Sequence, residues 1–212
     1  PIATASSGVA LVRTATELDA LVADWDLDEA FAIGGLVTQS PAVGELAMVQ
    51  SVFDHGRLVA FHANLRVREG ARGGASHKRS VSLPAAAADI ERLGQELRWH
   101  GALSADVILT GSGPVLIDIN PRLVEPNNAW FAGVDLVGAM VELARGEHPA
   151  TAAPGRESVA THQLLLAVLG AAQEGRGRRG IASELAGAAA HRGSYRNSRE
   201  ELTPSRGDLQ AA

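Results

Sequence analysis

The chain has 212 residues, a formal net charge of −5 and no cysteine. This length predicts one domain, or a domain with a small appendage, and a hydrophobic content of 46% is ample for a core. The acidic balance gives no support to a nucleic acid or an anionic membrane as partner, and no apolar stretch approaches the roughly 18 residues of a membrane span. The lack of cysteine excludes disulfides and thiolate metal sites and fits a reducing cytosol.

The first part of the chain predicts a helix followed by strands. The helix begins at the capping-box sequence 14–17, and apolar residues then recur at helical spacing. A strand is predicted over residues 31–38. Two further strand-like runs, 45–54 and 58–66, are joined by a tight-turn sequence and predict an antiparallel pair.

A Gly-rich and basic segment, residues 69–79, predicts a loop. Two interpretations stand: a mobile cationic loop that closes over a ligand, or a solvated surface loop. A short strand over residues 80–83 follows. Pro84 then opens a helix that ends at Gly101.

Residues 102–122 predict a β-hairpin. Two apolar runs, 105–109 and 115–119, flank the turn-type sequence 111–113. If the turn centres on Ser112, residues pair when their numbers sum to about 224, as strand geometry requires.

This register places two carboxylates opposite each other. Asp106 pairs with Asp118, and Asn120 lies on the same face because side chains alternate along a strand. The like charges repel at this spacing, and the three oxygen donors suit Mg²⁺ better than zinc. On spacing alone, an ordinary solvated face of a hairpin is an equally good interpretation.

The rest of the chain predicts helices. A helix over residues 134–145 is followed by a Pro-, Ala- and Gly-rich linker, 147–157. A strongly apolar helix is predicted over residues 162–172. A basic turn, 175–180, then leads to a weakly amphipathic helix over residues 181–190.

The sequence Asp-Ile-Asn-Pro-Arg at residues 118–122 resembles the metal and phosphate signature of ATP-grasp enzymes, in which an acidic residue one strand earlier, here Asp106, belongs to the same pattern. The resemblance implies that Asp106, Asp118 and Asn120 hold Mg²⁺, with Mn²⁺ as an alternative ion. It also implies a catalytic Arg122, which would bridge the γ-phosphate and a developing acyl phosphate.

The resemblance extends from the first residues to about Gly146 and assigns further contacts to ATP. A small-residue stretch at residues 1–9 resembles the phosphate loop, although a flexible linker would have the same composition. Residues 39–41 correspond to the hinge that reads adenine, and residues 123–130 would line the acceptor site. Asn127 and Asn128 are at least equally well explained as side chains that satisfy loop backbone groups or cap the next helix. The ATP-contacting residues implied are Ser6, Ser7, Gly8, Thr38, Gln39, Glu45, Lys78 and Arg79.

The fold implied is α+β: an ATP-grasp fold with an antiparallel core sheet and helices, similar to biotin carboxylase and the carbamoyl-phosphate synthase large subunit. We expect it to lack its N-terminal part, because the phosphate loop would normally follow a strand, and to carry a small helical C-terminal appendage. The expected division is a lid remainder at residues 1–38, a catalytic core at 39–148 and a helical extension at 149–212.

The function implied is that of an ATP-dependent ligase, which activates a carboxylate or bicarbonate as an acyl phosphate for attack by an amine or another nucleophile. The alternative is a non-catalytic remnant that binds nucleotide or serves in assembly. We expect small-molecule substrates and no nucleic acid or membrane partner. We also expect a cytoplasmic location, and the resemblance is compatible with a homo-oligomer. Residues 1–212 alone are expected to turn over little ATP.

Overall fold

The computed structural model describes residues 10–24 and 37–202. The chain divides into two units, residues 1–42 and 43–212. In the first unit, helix α1 spans Ala15–Asp24. It begins at the predicted capping box, where the Glu17 N–H donates to Thr14 Oγ1 at 3.2 Å.

The second unit is built on one seven-stranded sheet. Its strands are β1 (Glu45–Asp54), β2 (Arg57–Glu69), β3 (Ala75–Ser80), β4 (Gly101–Thr110), β5 (Gly113–Asn120), β6 (Ala160–His162) and β7 (Ser198–Glu200). Their order across the sheet is β5-β4-β1-β2-β3-β6-β7. All neighbours are antiparallel except β6 and β7. The predicted α+β architecture with an antiparallel core sheet is confirmed.

Five helices of this unit are described: α2 (Pro84–Leu97), α3 (Asn127–Ala132), α4 (Leu136–Ala144), α5 (Leu164–Gln173) and α6 (Gly177–Ala189). Short 3₁₀ turns lie at Ala71–Gly73 and Gly193–Tyr195. None of the helices within the described ranges has the length and apolar character needed to cross a bilayer.

The helices cover the two faces of the sheet unequally. On one face, Ile90 of α2 packs in a buried cluster with Val49, Phe53 and Val107. On the other face, α4 covers only one end, through a second cluster that includes Val52 and Leu136. The rest of that second face carries the polar side chains described below.

The predicted loop over residues 69–79 is confirmed for residues 70–74 but was wrong for residues 75–79. Residues 75–79 lie in β3, an interior strand paired with β2 on one side and with β6 on the other. Pairing on both sides satisfies the backbone even though the strand is almost entirely polar, and the predicted strand over residues 80–83 begins only where β3 ends. Strands β6 and β7 were not predicted, because each has only three residues.

Candidate active site

The β4–β5 hairpin brings the two predicted carboxylates together. Asp106 pairs with Asp118, as predicted. The turn itself is one residue tighter than predicted, since Thr110 pairs with Gly113. A β-bulge that leaves Ile117 without a partner on β4 adds the missing residue and restores the predicted register around the carboxylates.

The electrostatics of this pair favour a cation. Asp106 is half-buried and Asp118 is exposed. Burial raises the pKa of Asp106, the negative charge of Asp118 raises it further, and nearby Arg66 acts in the opposite direction. A divalent ion would relieve both the burial penalty and the repulsion.

Asn120 and Ser104 form the next row of the same face. They pair across β5 and β4, two residues from the carboxylates. The hydroxyl of Ser104 is buried and has no hydrogen-bond partner among the described residues, and the same holds for Oδ1 of Asn64 on β2. Asn64 pairs with Met48, which in turn pairs with Asp106, so both atoms belong to the face of the carboxylates. Oxygen donors left unpaired on this face fit a hard ion such as Mg²⁺ and its ligands.

Polar residues of β1 and β2 extend this face and were missed by the sequence analysis. Gln50 and His62 are paired across the two strands and are both buried. Gln50 Oε1 accepts a hydrogen bond from the Val124 N–H at 2.8 Å, which fixes the loop after β5 over the sheet. The sequence did contain an indication of them. Polar residues such as Gln50 and His62 interrupt apolar runs of these strands, and buried polar residues of this kind often belong to a functional site or to a hydrogen-bond network.

His62 leads into a buried network that holds the start of α3. Its Nε2 lies 2.7 Å from Asn128 Oδ1, and the Asn128 amide donates to Thr161 Oγ1 at 2.7 Å and to the Val159 carbonyl at 3.2 Å. Burial lowers the pKa of His62, and the positive charge of Lys78 lowers it further. Of the two interpretations of Asn127 and Asn128, these contacts favour the satisfaction of backbone groups, since Asn127 also donates to a carbonyl, that of residue 201.

Lys78 occupies the centre of a buried ionic cluster on the same face. Its ammonium group donates to Glu201 at 2.7 Å and to Glu125. Gln163 donates to both carboxylates as well. Lys78 is 2% exposed and Glu201 is fully buried. Lys78 is therefore fixed by carboxylates from two distant parts of the chain rather than carried on a mobile loop.

Arg122 lies two residues beyond β5. It is exposed, and no side-chain hydrogen bond or ion pair joins its guanidinium to another residue in the described ranges. It lines a shallow depression of about 510 Å³ together with residues of α4, among them Met140 and Val141. Its backbone N–H donates to the Asn120 carbonyl at 2.9 Å, which connects it directly to the end of the site strand.

Two of the remaining predicted ATP contacts, Glu45 and Arg79, do not lie on this face. Glu45 and Arg79 are exposed, and the strand registers place both on the opposite face of the sheet from Asp106. Thr38 and Gln39 are exposed residues of the first unit, outside any helix or strand. Ser6, Ser7 and Gly8 lie outside the described residues.

Comparison with known proteins supports the fold. No protein-family model matches the sequence. No curated protein sequence matches it either. Among solved structures, the biotin carboxylase domain of Hydrogenobacter thermophilus 2-oxoglutarate carboxylase, in complex with MgADP, ADP and bicarbonate, is similar with a TM-score of 0.54 and 18% identity. The biotin carboxylase domain of a thermophilic 2-oxoglutarate carboxylase bound to bicarbonate gives the same values.

These alignments cover 70% of the present chain but only 36% and 37% of the two solved chains, so the chain spans about a third of their length. At this level of identity the likeness concerns the fold, and the shared fold agrees with the resemblance found in the sequence. The chain therefore has the ATP-grasp fold, in the form seen in biotin carboxylase domains.

Proposed function

We propose that the chain belongs to an ATP-dependent ligase of ATP-grasp type, with MgATP bound on the polar face of β5, β4, β1 and β2. The observation that carries the proposal is the placement of Asp106, Asp118 and Asn120 on one face of neighbouring strands. The raised pKa of Asp106 supports it, because a bound cation would offset the burial and the repulsion that raise this pKa, and the unpaired Ser104 hydroxyl adds an oxygen donor to the same face. The solved domain with the same fold was crystallised with MgADP and bicarbonate, which adds support from its ligands.

In the proposed reaction, a carboxylate or bicarbonate oxygen attacks the γ-phosphorus of ATP, and the bond from that phosphorus to the bridging oxygen of ADP breaks. The acyl phosphate formed is then attacked at carbon by an amine or another nucleophile, and inorganic phosphate leaves. Asp106, Asp118 and Asn120 would hold Mg²⁺, which when bound neutralises charge on the phosphate oxygens. Arg122 would place its guanidinium beside the phosphoryl group that is transferred.

The protein contributes positioning more than covalent chemistry in such a transfer. The Gln50 side chain holds the loop that follows Arg122, because it binds the Val124 N–H. The buried Lys78 cluster fixes the same loop further on, at Glu125. The site loop is thus tied to the sheet at two points, as a positioned acceptor site requires.

A second candidate function is a non-catalytic nucleotide-binding or assembly module. One observation favours it: Lys78, a buried cation of the polar face, is neutralised by Glu125 and Glu201. With Asp106 and Asp118 also on this face, its described residues carry little free positive charge for a triphosphate. That balance favours a remnant that binds nucleotide weakly or not at all and serves in assembly.

The proposal is tested with Mn²⁺ as a paramagnetic substitute for Mg²⁺. In the presence of ATP, water-proton relaxation should report one bound Mn²⁺, and Asp118→Asn should weaken its binding about tenfold or more, equivalent to about 1.4 kcal/mol. Without any metal, the same substitution should raise the free energy of unfolding by about 0.2–1 kcal/mol, because it removes cross-strand repulsion. The two effects have opposite signs.

Asp89→Asn is the matched control, because Asp89 lies on α2 and its carboxylate is committed to Arg92 at 2.7 Å. It should change neither measurement by more than about 0.5 kcal/mol. Unchanged Mn²⁺ binding in Asp118→Asn would remove the basis of the proposal. In a screen of carboxylic acids, ADP release that one acid stimulates and that Asp118→Asn abolishes would exclude the second candidate.

A further inference from the structure

Three histidines surround one buried carboxylate at the end of β1 that is remote from the acidic pair. His55 Nδ1 lies 3.0 Å from Asp54 Oδ1, and His100 Nδ1 lies 3.8 Å from the same oxygen. His148 Nδ1 lies 2.8 Å from the other oxygen, Oδ2. These contacts hold the pKa of Asp54 well below its usual range, with the His55 contact as the largest cause.

The scaffold that gathers these residues is fixed by hydrogen bonds. The Gly56 N–H in the β1–β2 turn donates to the Trp99 carbonyl at 2.6 Å, which holds the turn against the residue before His100. Arg57 donates to Asp54 Oδ2 at 3.0 Å and to the Pro149 carbonyl at 2.9 Å, which holds the segment of His148 in place. Three distant parts of the chain are therefore held together at Asp54.

We propose that Asp54, His55 and His100 bind a divalent transition-metal ion, with Zn²⁺ as the best match. Their ligand atoms all lie within 4.8 Å of one another. In a tetrahedral zinc site with bonds of about 2.0–2.1 Å, neighbouring ligand atoms lie about 3.3 Å apart. The two separations from Asp54 Oδ1 to the imidazole nitrogens, 3.0 and 3.8 Å, bracket that value.

The donor set selects the ion. Two imidazole nitrogens and one carboxylate oxygen suit zinc-like ions, whereas Mg²⁺ prefers oxygen donors alone. The side chains of His55 and His100 are 73% and 43% exposed, so a hydrated ion can reach them, and water completes the coordination. His148 and Arg57 would hold Asp54 Oδ2, the oxygen that does not face the metal. Such contacts from residues outside the coordination sphere fix the orientation of a metal ligand.

Arg57 also limits the affinity of the site for a metal ion. Its positive charge lies beside Asp54 Oδ2 and repels a second cation, so we expect binding in the micromolar range rather than at the affinity of a structural zinc finger. The site is remote from the acidic pair, since Met48, the β1 partner of Asp106, lies six residues before Asp54, about 20 Å along the strand. A bound ion would clamp the β1–β2 turn, the start of β4 and the segment after α4.

The test is a Zn²⁺ competition titration of the chain against a chromophoric chelator, with Co²⁺ absorption as a second readout. We expect one equivalent of Zn²⁺ and visible absorption bands of tetrahedral Co²⁺. Asp54→Asn and His55→Asn should each weaken Zn²⁺ binding at least about tenfold and abolish the Co²⁺ bands. His55 has a φ of 49°, a conformation that Asn tolerates, so the second variant keeps the backbone.

His191→Asn is the matched control, because His191 also has a φ of 49° but lies in the turn after α6, outside the cluster. It should retain both the stoichiometry and the affinity. Binding of less than one equivalent at about 100 µM Zn²⁺ overturns the proposal. So does an equal loss in His191→Asn and His55→Asn, or no loss in either cluster variant.

Discussion

Removal of the Lys78 charge should destabilise the protein strongly, because it would leave a carboxylate buried without a counter-charge. Lys78 is 2% exposed and donates to Glu201 at 2.7 Å. Glu125, its other partner, is 31% exposed and can turn toward water, but Glu201 is 0% exposed and cannot. Breaking a buried pair by removing one partner costs about 3–5 kcal/mol, so we expect Lys78→Met to lose that much free energy of unfolding.

Thermal and urea unfolding measure this loss. For a domain of this size, 1 kcal/mol corresponds to about 2–4 °C in Tm, so the expected drop is about 6–20 °C. Arg79→Met is the matched control, because Arg79 is the next residue of β3 but is exposed on the other face, and it should change stability by less than about 0.5 kcal/mol.

A double variant identifies the cause. Lys78→Met combined with Glu201→Gln removes both charges and should recover at least about 2 kcal/mol relative to the single variant, because no uncompensated charge remains. A loss below about 1 kcal/mol in Lys78→Met, or strictly additive losses in the double variant, would refute the reasoning. If Lys78 were a mobile phosphate contact, its removal would weaken ATP binding and leave stability unchanged.

Two further predictions concern stability alone. Burial, helped by the charges of Arg68 and His162, lowers the pKa of His77 from 6.5 to about 4. Between these two pH values the unfolded state binds more protons than the folded state, so the free energy of unfolding falls as the pH falls through this window. His77 alone should cost about 1.3 kcal/mol between pH 7.5 and 5.5 in urea unfolding, and an equal pH dependence in His77→Asn would contradict this. Gly94→Ala should lose about 1–2 kcal/mol, because the new Cβ would lie 2.1 Å from the buried Phe53 ring, and this outweighs the gain in helix propensity of about 1 kcal/mol. Gly187→Ala, with its Cβ 3.1 Å from a Tyr195 ring atom, should be far milder, and equal losses in the two variants would contradict the packing argument.

The hairpin of the site was predictable because its signal is local. Two apolar runs and the Gly-Ser-Gly turn between them predict the register that places Asp106 opposite Asp118, and the structure confirms this pairing. The tighter turn and the bulge at Ile117 were not predictable, because they cancel and leave the same register at the carboxylates. The sequence thus predicted the contact but not the backbone path that produces it.

The strand β3 and its buried lysine were not predictable, because their stabilisation is not local. The sequence of β3 is rich in polar residues, and polar residues beside glycines are typical of a loop. What makes the segment a strand is pairing on both sides, together with partners for Lys78 that lie 47 and 123 residues away. The grouping of histidines around Asp54 was not predicted for the same reason. These histidines are spread over about half the length of the domain, and their spacing in the sequence is not that of metal ligands.

The two proposed ion sites lie toward opposite ends of one strand, and their ligands differ in kind. Near Met48, β1 borders carboxylate and amide oxygens from β4 and β5, which suit Mg²⁺. At Asp54, β1 ends among imidazole nitrogens, which suit Zn²⁺. A transition metal binds most nitrogen and oxygen sites more tightly than Mg²⁺ does, so Zn²⁺ can also compete for the all-oxygen site once the site at Asp54 is filled. Selection of Mg²⁺ at the carboxylates therefore depends on Mg²⁺ being far more abundant than free Zn²⁺, whereas the imidazole nitrogens at Asp54 favour Zn²⁺ through their donor type.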